Sequence, residues 1–542
     1  MPNAGGSGRV PSIMLSRLVF PLLAVLAATP VVAQSPPDSA RLIRAIRVET
    51  SDVFSPSEAH GLLPKAFNGL HFTTRAGVVR REVLQRVGEV YDSAAAAQTE
   101  RSLRALRIFR RVRVDTVRAD SGLVLRVETQ DAFTTRIEAS IDGSLKANTW
   151  WVALNELNLL GTATRVGIRY RRTPDRDAVT TSFQRNRLID GRIGVSALYD
   201  SRSDGRTLYG VMALPFFSFQ SPSSWYLSGE ERKERVFRFY DGKTVAGDTL
   251  QRRFWLARSG LSTAIDGSSS GYLRAGVEAQ LRRDDYARQA RVDTIGRSIS
   301  GAVTGYLEWR AARFLVSRDF EGFGRQEDVD LSTVIRGGLG VTPKQWGYPD
   351  FGVVPQLDIR TGFGWRGGFV TAFGAAMGRI GSAGLDSGSV HVAATVVLKP
   401  RPKQMVVFHG ARGWQRHPIP GGEFDLGLGF GPRGFTQHAF TGDRAFLLAT
   451  EYRYLLTDNF LRSAGLGLAA FADYGGAWYE GQPKRTGYSV GVGFRFGLTV
   501  ASDLSPARVD LAWINGTGLT KGAWRLAFGK GFVFGPSGRL DR

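Results

Sequence analysis

Hydrophobic positions along the chain follow two different rhythms, and the change falls near residue 131. Before it the period is mixed. Ile43, Ile46 and Val48 form a strand-like run. Thr74 is placed to cap a helix through Val78, Val79 and Val83, and Asp92 to cap a second, SAAAAQTERSLRALRIF, whose alanines fall at helical spacing with Leu103 and Leu106. Two strands follow, VRVDTVRA from Val112 and GLVLRVET from Gly122, joined by a hairpin-type turn at Asp120-Ser121-Gly122. The pattern predicts a small α+β module over residues 41–130 in the order β-α-α-β-β.

From Phe133 onward, segments of about 10 to 18 residues alternate apolar and polar between Gly, Asp, Ser and Pro turns. In 488–500, Tyr488, Val490, Val492, Phe494, Phe496 and Leu498 share one face, and Ser489, Gly491, Gly493, Arg495 and Gly497 the other. Leu466, Leu468, Ala470 and Tyr474 likewise oppose Gly465, Gly467 and Asp473. In 524–534, Trp524, Leu526, Phe528, Phe532 and Phe534 share a face broken only by Lys530, opposite Arg525, Gly529 and Gly531. A continuous apolar face backed by Gly and Arg is what lipid outside and a polar lumen require. A soluble β-sandwich would also alternate, but its outward face would not be so rich in glycine and arginine. The expected fold is therefore mainly β, a transmembrane antiparallel barrel over 131–542. About 20 strand candidates can be counted, with an even number expected.

Composition supports this, with 66 Gly, 33 Phe, 15 Tyr and 11 Trp in 542 residues and a mean hydropathy of only −0.14. Residues 1–33 read as an export signal. Arg9 and Arg17 precede an apolar run from Leu18 to Ala33, which is too short and too proline-broken to span a bilayer. Residues 34–40, QSPPDSA, read as a linker. The chain has no cysteine, which excludes thiolate metal sites and Cys nucleophiles. A net charge of +22 could indicate nucleic acid. The arginines, however, are spread along alternating strands, as in RVGIRYRRT. A polar lumen and anionic lipid headgroups account for them better, and no nucleic-acid partner is expected.

Two motifs imitate enzymes. Gly487-Tyr488-Ser489-Val490-Gly491 matches a nucleophile elbow, but that elbow needs a strand-to-helix turn, and Ser489 lies within an alternating run. Gly429-Phe430-Gly431-Pro432-Arg433-Gly434 matches a phosphate-loop spacing, but no helix follows and Pro432 removes an amide donor. The six histidines show no metal-ligand spacing. No catalytic function, metal or cofactor is expected. A more specific cluster sets Arg433-Gly434-Phe435 in a Gly-rich loop before a strand whose Glu451 and Arg453 face inward. The next strand carries Phe471-Ala472-Asp473-Tyr474-Gly475, with Asp473 on the lumen face, a suitable anion for a loop arginine.

Here the chain resembles the POTRA-plus-barrel outer-membrane superfamily of BamA, TamA and two-partner secretion transporters, often labelled bacterial surface antigen. The likeness covers nearly all of the mature chain. Its front module matches through Gly88-x-x-Tyr91-Asp92 and Leu103-Arg104-x-Leu106-x-x-Phe109. Its barrel matches through Asn158-Leu159-Leu160-Gly161, Arg433-Gly434-Phe435, Phe471-x-Asp473-x-Gly475 and the five strands after that loop. The resemblance implies one POTRA domain where the essential assembly factor has several, and 16 barrel strands. It implies that Arg433 holds the signature loop against Asp473, with Glu451 as a second partner and Phe435 packed beside them. Gly529, Phe532 and Phe534 in the last strand resemble the terminal signal read by assembly machinery, although Gly535 to Arg542 follow it.

The implied function is insertion or translocation of client polypeptides in the outer membrane of a Gram-negative-type bacterium. The module would lie in the periplasm and the barrel, a monomer, would open between its first strand (near Thr134–Asp142) and its last (Trp524–Phe534). Partners would be outer-membrane lipid or lipopolysaccharide and unfolded or β-rich clients. The alternatives are a passive pore or structural barrel, a secretion channel for one dedicated partner, and more remotely a hydrolase acting through Ser489.

Overall fold

The computed structural model describes residues 42–55, 59–60, 62–119, 122–143, 148–188, 192–237, 239–240, 243–244, 249–288, 298–323, 326–427, 430–460, 464–498 and 506–531. The leader, the linker, Asp120-Ser121, Gly429, Phe532, Phe534 and the residues after Phe534 lie outside these.

The first element, β1 (Ile43–Ser51), is followed by α1 (Leu62–Gly69), α2 (Ala76–Glu82), α3 (Ser93–Ala105), β2 (Phe109–Ala119) and β3 (Gly122–Asp131). The sheet order is β1-β3-β2, with β1 parallel and β2 antiparallel to the central β3. Ile43, Val79, Leu103, Ile108, Leu125 and Val127 form its core. One helix more is present than the sequence pattern indicated, since α1 was not anticipated. Its segment LLPKAFNG is short and holds a proline, which its first turn tolerates because no intrahelical donor is needed there.

Asp92 caps α3, accepting from the Ala94 amide at 2.8 Å. Thr74 does not cap α2; Arg75 stands at that position with no side-chain cap. Thr74 instead gives its amide (2.6 Å) and hydroxyl (2.9 Å) to the fully buried carboxylate of Asp131. The stronger acceptor wins, because an unmatched buried carboxylate costs more than an uncapped helix end.

The remainder is a closed antiparallel barrel of 20 strands, from Thr135–Gly143 to Ala523–Lys530. This corrects the 16 implied by family resemblance. Segments that could have been long external hairpins, such as Leu250–Ser268 and Gly271–Arg288, pair along nearly their whole length as wall strands. Face parity holds through the wall: Val492 and Phe494 are 60% and 64% exposed, while Ser489 and Arg495 on the opposite face of the same strand are 0% and 1% exposed. A belt this apolar needs a non-aqueous surround. Among the described residues no helix is long and apolar enough to cross a membrane.

The small domain is docked on the barrel rim. Asn158 donates to the Thr74 hydroxyl (2.8 Å), and the Arg75 amide donates to the carbonyl of Gly161 (3.0 Å). Gly161 has a φ of +69°, and a Cβ there would collide with the Thr73 carbonyl, so the Asn158–Gly161 motif is the joint between the two parts. The Glu82–Arg187 ion pair at 2.8 Å adds a second tie.

Two insertions enter the lumen from opposite ends. On the small-domain side, the hairpin Phe314–Arg318/Gln326–Asp330 leads back into the wall at Leu331, and its loop carries Phe323. Phe323 lies against Gly465, Gly467 and Gly497 on three lumen positions, and Leu331 sits over Gly362 and Gly364. From the other end comes the long connection between Gln404–Arg416 and Arg444–Phe460, described next. Lumen glycines thus provide room for side chains that fill the barrel from inside.

Gly465→Leu would force its side chain into the Phe323 ring. It is expected to lower barrel stability by about 1–3 kcal/mol in chemical unfolding. Phe323→Ala in the same chain should recover part of the loss; purely additive effects would show that the seat does not exist.

Candidate functional site

The connection from 417 to 443 folds into the lumen as a ribbon, Phe424–Leu426 paired with Phe440–Gly442, with Arg433 at the inner end of its loop. Gly434 has a φ of +83°, a left-handed turn that only glycine adopts without strain, and a Cβ there would press on Ile514. This turn aims the flanking side chains in opposite directions, Arg433 to charge and Phe435 to an apolar pocket.

Arg433 is 4% exposed. Its Nε donates to Asp473 Oδ2 at 2.7 Å, its Nη2 to Asp473 Oδ1 at 2.8 Å, and its own amide to Oδ2 at 3.1 Å. Its Nη1 donates to Glu451 Oε2 at 2.5 Å. The guanidinium lies 3.6 Å from the centre of the Phe471 ring, so one side chain combines a two-nitrogen carboxylate grip with a cation–π face. Both Asp473 and Glu451 are full partners. Phe435 packs with Phe440 at 5.0 Å between ring centres, over Gly487, in a cluster that includes Phe424, Leu447 and Ile514. Gly475 lies on the lumen face, where a Cβ would be 2.8 Å from the Phe446 carbonyl.

Strand register assembles the rest of the site. Glu451 is paired opposite Phe471, and Asp473 opposite Ser489. Arg495 donates to Glu451 Oε2 (2.7 Å) and Asp510 Oδ1 (2.6 Å), and Arg453 donates to Glu451 Oε1 (2.5 Å). Ser489, inside the strand Thr486–Leu498, donates its hydroxyl to Asp473 Oδ2 at 3.2 Å. Arg495, Arg453, Asp510 and Ser489 were not singled out as partners from the sequence. The available signal was that Arg495 is the charged residue on an otherwise small lumen face of its strand, but a partner on another strand has no fixed sequence spacing.

In the last strand Gly529 lies against the Arg508 guanidinium, which a Cβ would displace. Lys530, the break in the apolar parity, reaches Glu138 Oε2 of the first barrel strand at 3.4 Å. A second tie holds the inserted loop at its outer end. His438 stacks on Phe239 (3.5 Å, 9°), with Nδ1 2.6 Å from Asp425 and Nε2 2.8 Å from Asp175 in the turn after the strand Thr164–Arg172. Both ring nitrogens face carboxylates, so only the imidazolium satisfies both. Burial opposes that charge, but the two carboxylates outweigh it and raise the His438 pKa above its ordinary value.

Among solved structures, the chain is similar to BamA from Haemophilus ducreyi lacking POTRA domains 1–3, with 12% identity, 91% of this chain and 84% of that one covered, and a TM-score of 0.41. It is similar to CdiB from Escherichia coli at 13% identity, covering 91% and 77%, with a TM-score of 0.48. CdiB from Acinetobacter baumannii gives 11% identity, 90% and 73%, with a TM-score of 0.45. These likenesses are too distant to carry function. No protein-family model and no curated protein matches the sequence.

Arg433→Ala strands Asp473, whose other side-chain donor among the described residues is Ser489. The expected loss is about 3–5 kcal/mol in denaturant unfolding, and Asp473→Asn added to it should restore part. An unchanged midpoint would show that the pair does not hold the loop. The His438 latch contributes fully below pH 6.5, the imidazole's ordinary value, and is lost as pH rises through its raised value in the fold. Protease cutting within 431–439 should therefore increase with pH in the native chain and lose that dependence in His438→Gln.

Proposed function

We propose that this chain is an outer-membrane barrel that inserts or translocates β-rich client polypeptides, with the small domain in the periplasm as a single POTRA-like module. The observation that carries this reading is the seam. Among the described residues the first and last barrel strands meet at the pairing of Phe528 with Gly143 and at the Lys530–Glu138 contact of 3.4 Å, so the barrel closes where the two ends of its sheet come together. Backbone groups left unpaired in lipid cost several kcal/mol each, so when that closure opens its two edges favour any strand that can add to them. A client segment entering there would gain main-chain hydrogen bonds without needing a particular sequence.

In this reading β2, which pairs only with β3 among the described residues, offers an edge for capturing an extended client. The ties through Asn158, Gly161 and Arg187 hold that edge at the barrel rim. Arg433 keeps the inserted loop fixed to the wall opposite the lumen glycines, which leaves the seam as the part of the barrel to open. The client's own folding supplies the free energy. No cofactor, metal or catalytic step is invoked, and the hydroxyl of Ser489 serves the Asp473 carboxylate.

Because the chain lacks cysteine, Gly143→Cys with Phe528→Cys introduces one disulfide across the seam. Paired antiparallel positions have the Cα spacing such a bond needs. The locked protein should fail to insert a barrel client into vesicles, and reductant should restore insertion. A control pair at Ala470 and Val492, opposed within the wall, should have no effect. Insertion that proceeds with the seam locked overturns the seam as the route, and failure of the unlocked protein to insert the client favours a passive barrel.

A further inference from the structure

The rim nearest the small domain carries positive charge on adjoining connections. Arg366 stands in the turn after Gly352–Trp365, and Lys399, Arg401 and Lys403 in the sequence KPRPK after Gly384–Leu398. The two turns touch, since the Lys399 amide donates to the Gly367 carbonyl at 2.7 Å. Together with Arg318 of the lumen hairpin, these side chains line a cavity of about 790 Å³ whose acidic lining residues are Asp319 and Asp458.

The charges do not cancel there. Arg318 is 3.3 Å from Asp458 and 3.7 Å from Asp319, which uses both carboxylates. Lys399 turns inward and donates to Ser317 Oγ at 2.8 Å and to the Arg318 carbonyl. At the cavity's inner end Arg453 and Arg495 are held by Glu451. Arg366, Arg401 and Lys403 make no side-chain hydrogen bond or ion pair among the described residues. Pro400 and Pro402 fix the backbone on either side of Arg401, so the turn cannot easily refold to disperse its charge. The arginines deeper in the lumen are matched by carboxylates, and this rim is not.

The outer edge of the same cavity is apolar. Tyr454 and Leu468 line it and are 38% and 40% exposed on the outward face. Phe363 and Trp365, at the end of the strand leading to Arg366, are also outward and exposed. Cations beside an aromatic girdle at a barrel rim mark the depth of lipid headgroups.

We propose that this cavity binds the phosphate headgroup of an anionic phospholipid, with Arg366, Arg401 and Lys403 on the phosphate and Tyr454 and Leu468 along the first carbons of an acyl chain. The proposal rests on the membrane placement given above and adds a ligand to it. A soluble phosphate would satisfy the cations but leave the apolar edge unused.

The test uses the full chain reconstituted in bilayers of phosphatidylglycerol and phosphatidylcholine, then extracted in mild detergent, with retained lipid counted by native mass spectrometry. The native chain should retain phosphatidylglycerol in excess over its share of the bilayer. Each of Arg366→Gln, Arg401→Gln and Lys403→Gln should weaken retention roughly fivefold, and the triple variant should lose the preference while keeping a folded barrel by heat-dependent gel mobility. Equal retention by native and triple-variant protein overturns the proposal. So does inorganic phosphate that binds the native chain without lipid and displaces no phosphatidylglycerol, which would make this a free-anion site. A chain that does not enter bilayers at all refutes the membrane placement instead.

Discussion

A sheet surrounded by lipid must satisfy its own backbone, and that requirement governs this molecule. Twenty strands close on one another, and the N–H and C=O groups of the wall find their partners in neighbouring strands rather than in water. The ring closes where the first strand meets the last, at Phe528 with Gly143, and hairpins such as Leu250–Ser268 with Gly271–Arg288 pair along nearly their entire length. With the outside surrendered to apolar side chains, every polar demand of the chain is moved inward.

Inside, the difficulty is to hold charge away from water. Arg433, Glu451, Asp473, Arg495 and Asp510 are each no more than 4% exposed. Isolated, any one would be prohibitively costly to bury; alternated, each cation faces two carboxylates or a carboxylate and an aromatic ring. Such a network favours one arrangement of the loop over all others, because a displaced Arg433 leaves charge behind it. Specificity of position is its contribution, more than net stability.

Glycine on the lumen face has a corresponding part. Gly465, Gly467 and Gly497 admit Phe323, Gly487 admits Phe435, and Gly413 admits Phe424. A wide barrel built with ordinary side chains on that face could not accept two insertions and still bring Arg433 within reach of the wall. The same economy of space operates at the joint, where Gly161 lets the Thr73 carbonyl lie against the first turn on the small-domain side of the barrel.

The sequence alone carried the alternation of the wall, the switch at residue 131 and the cap at Asp92, because each is a local period or a contact across two or three residues. It bounded the strand number between the 16 of family resemblance and the 20 candidates counted directly, and the structure settles on 20. It singled out Arg433, Phe435, Glu451 and Asp473 through a short motif and face parity. Only the tertiary structure decided that Thr74 serves Asp131 in place of a helix, that Arg495, Asp510 and Ser489 complete the buried cluster, and that the glycines are seats for incoming aromatics. Those contacts join strands tens of residues apart, and their register follows from how the barrel closes. Parity can tell which face a side chain occupies; it cannot tell what will be folded against it.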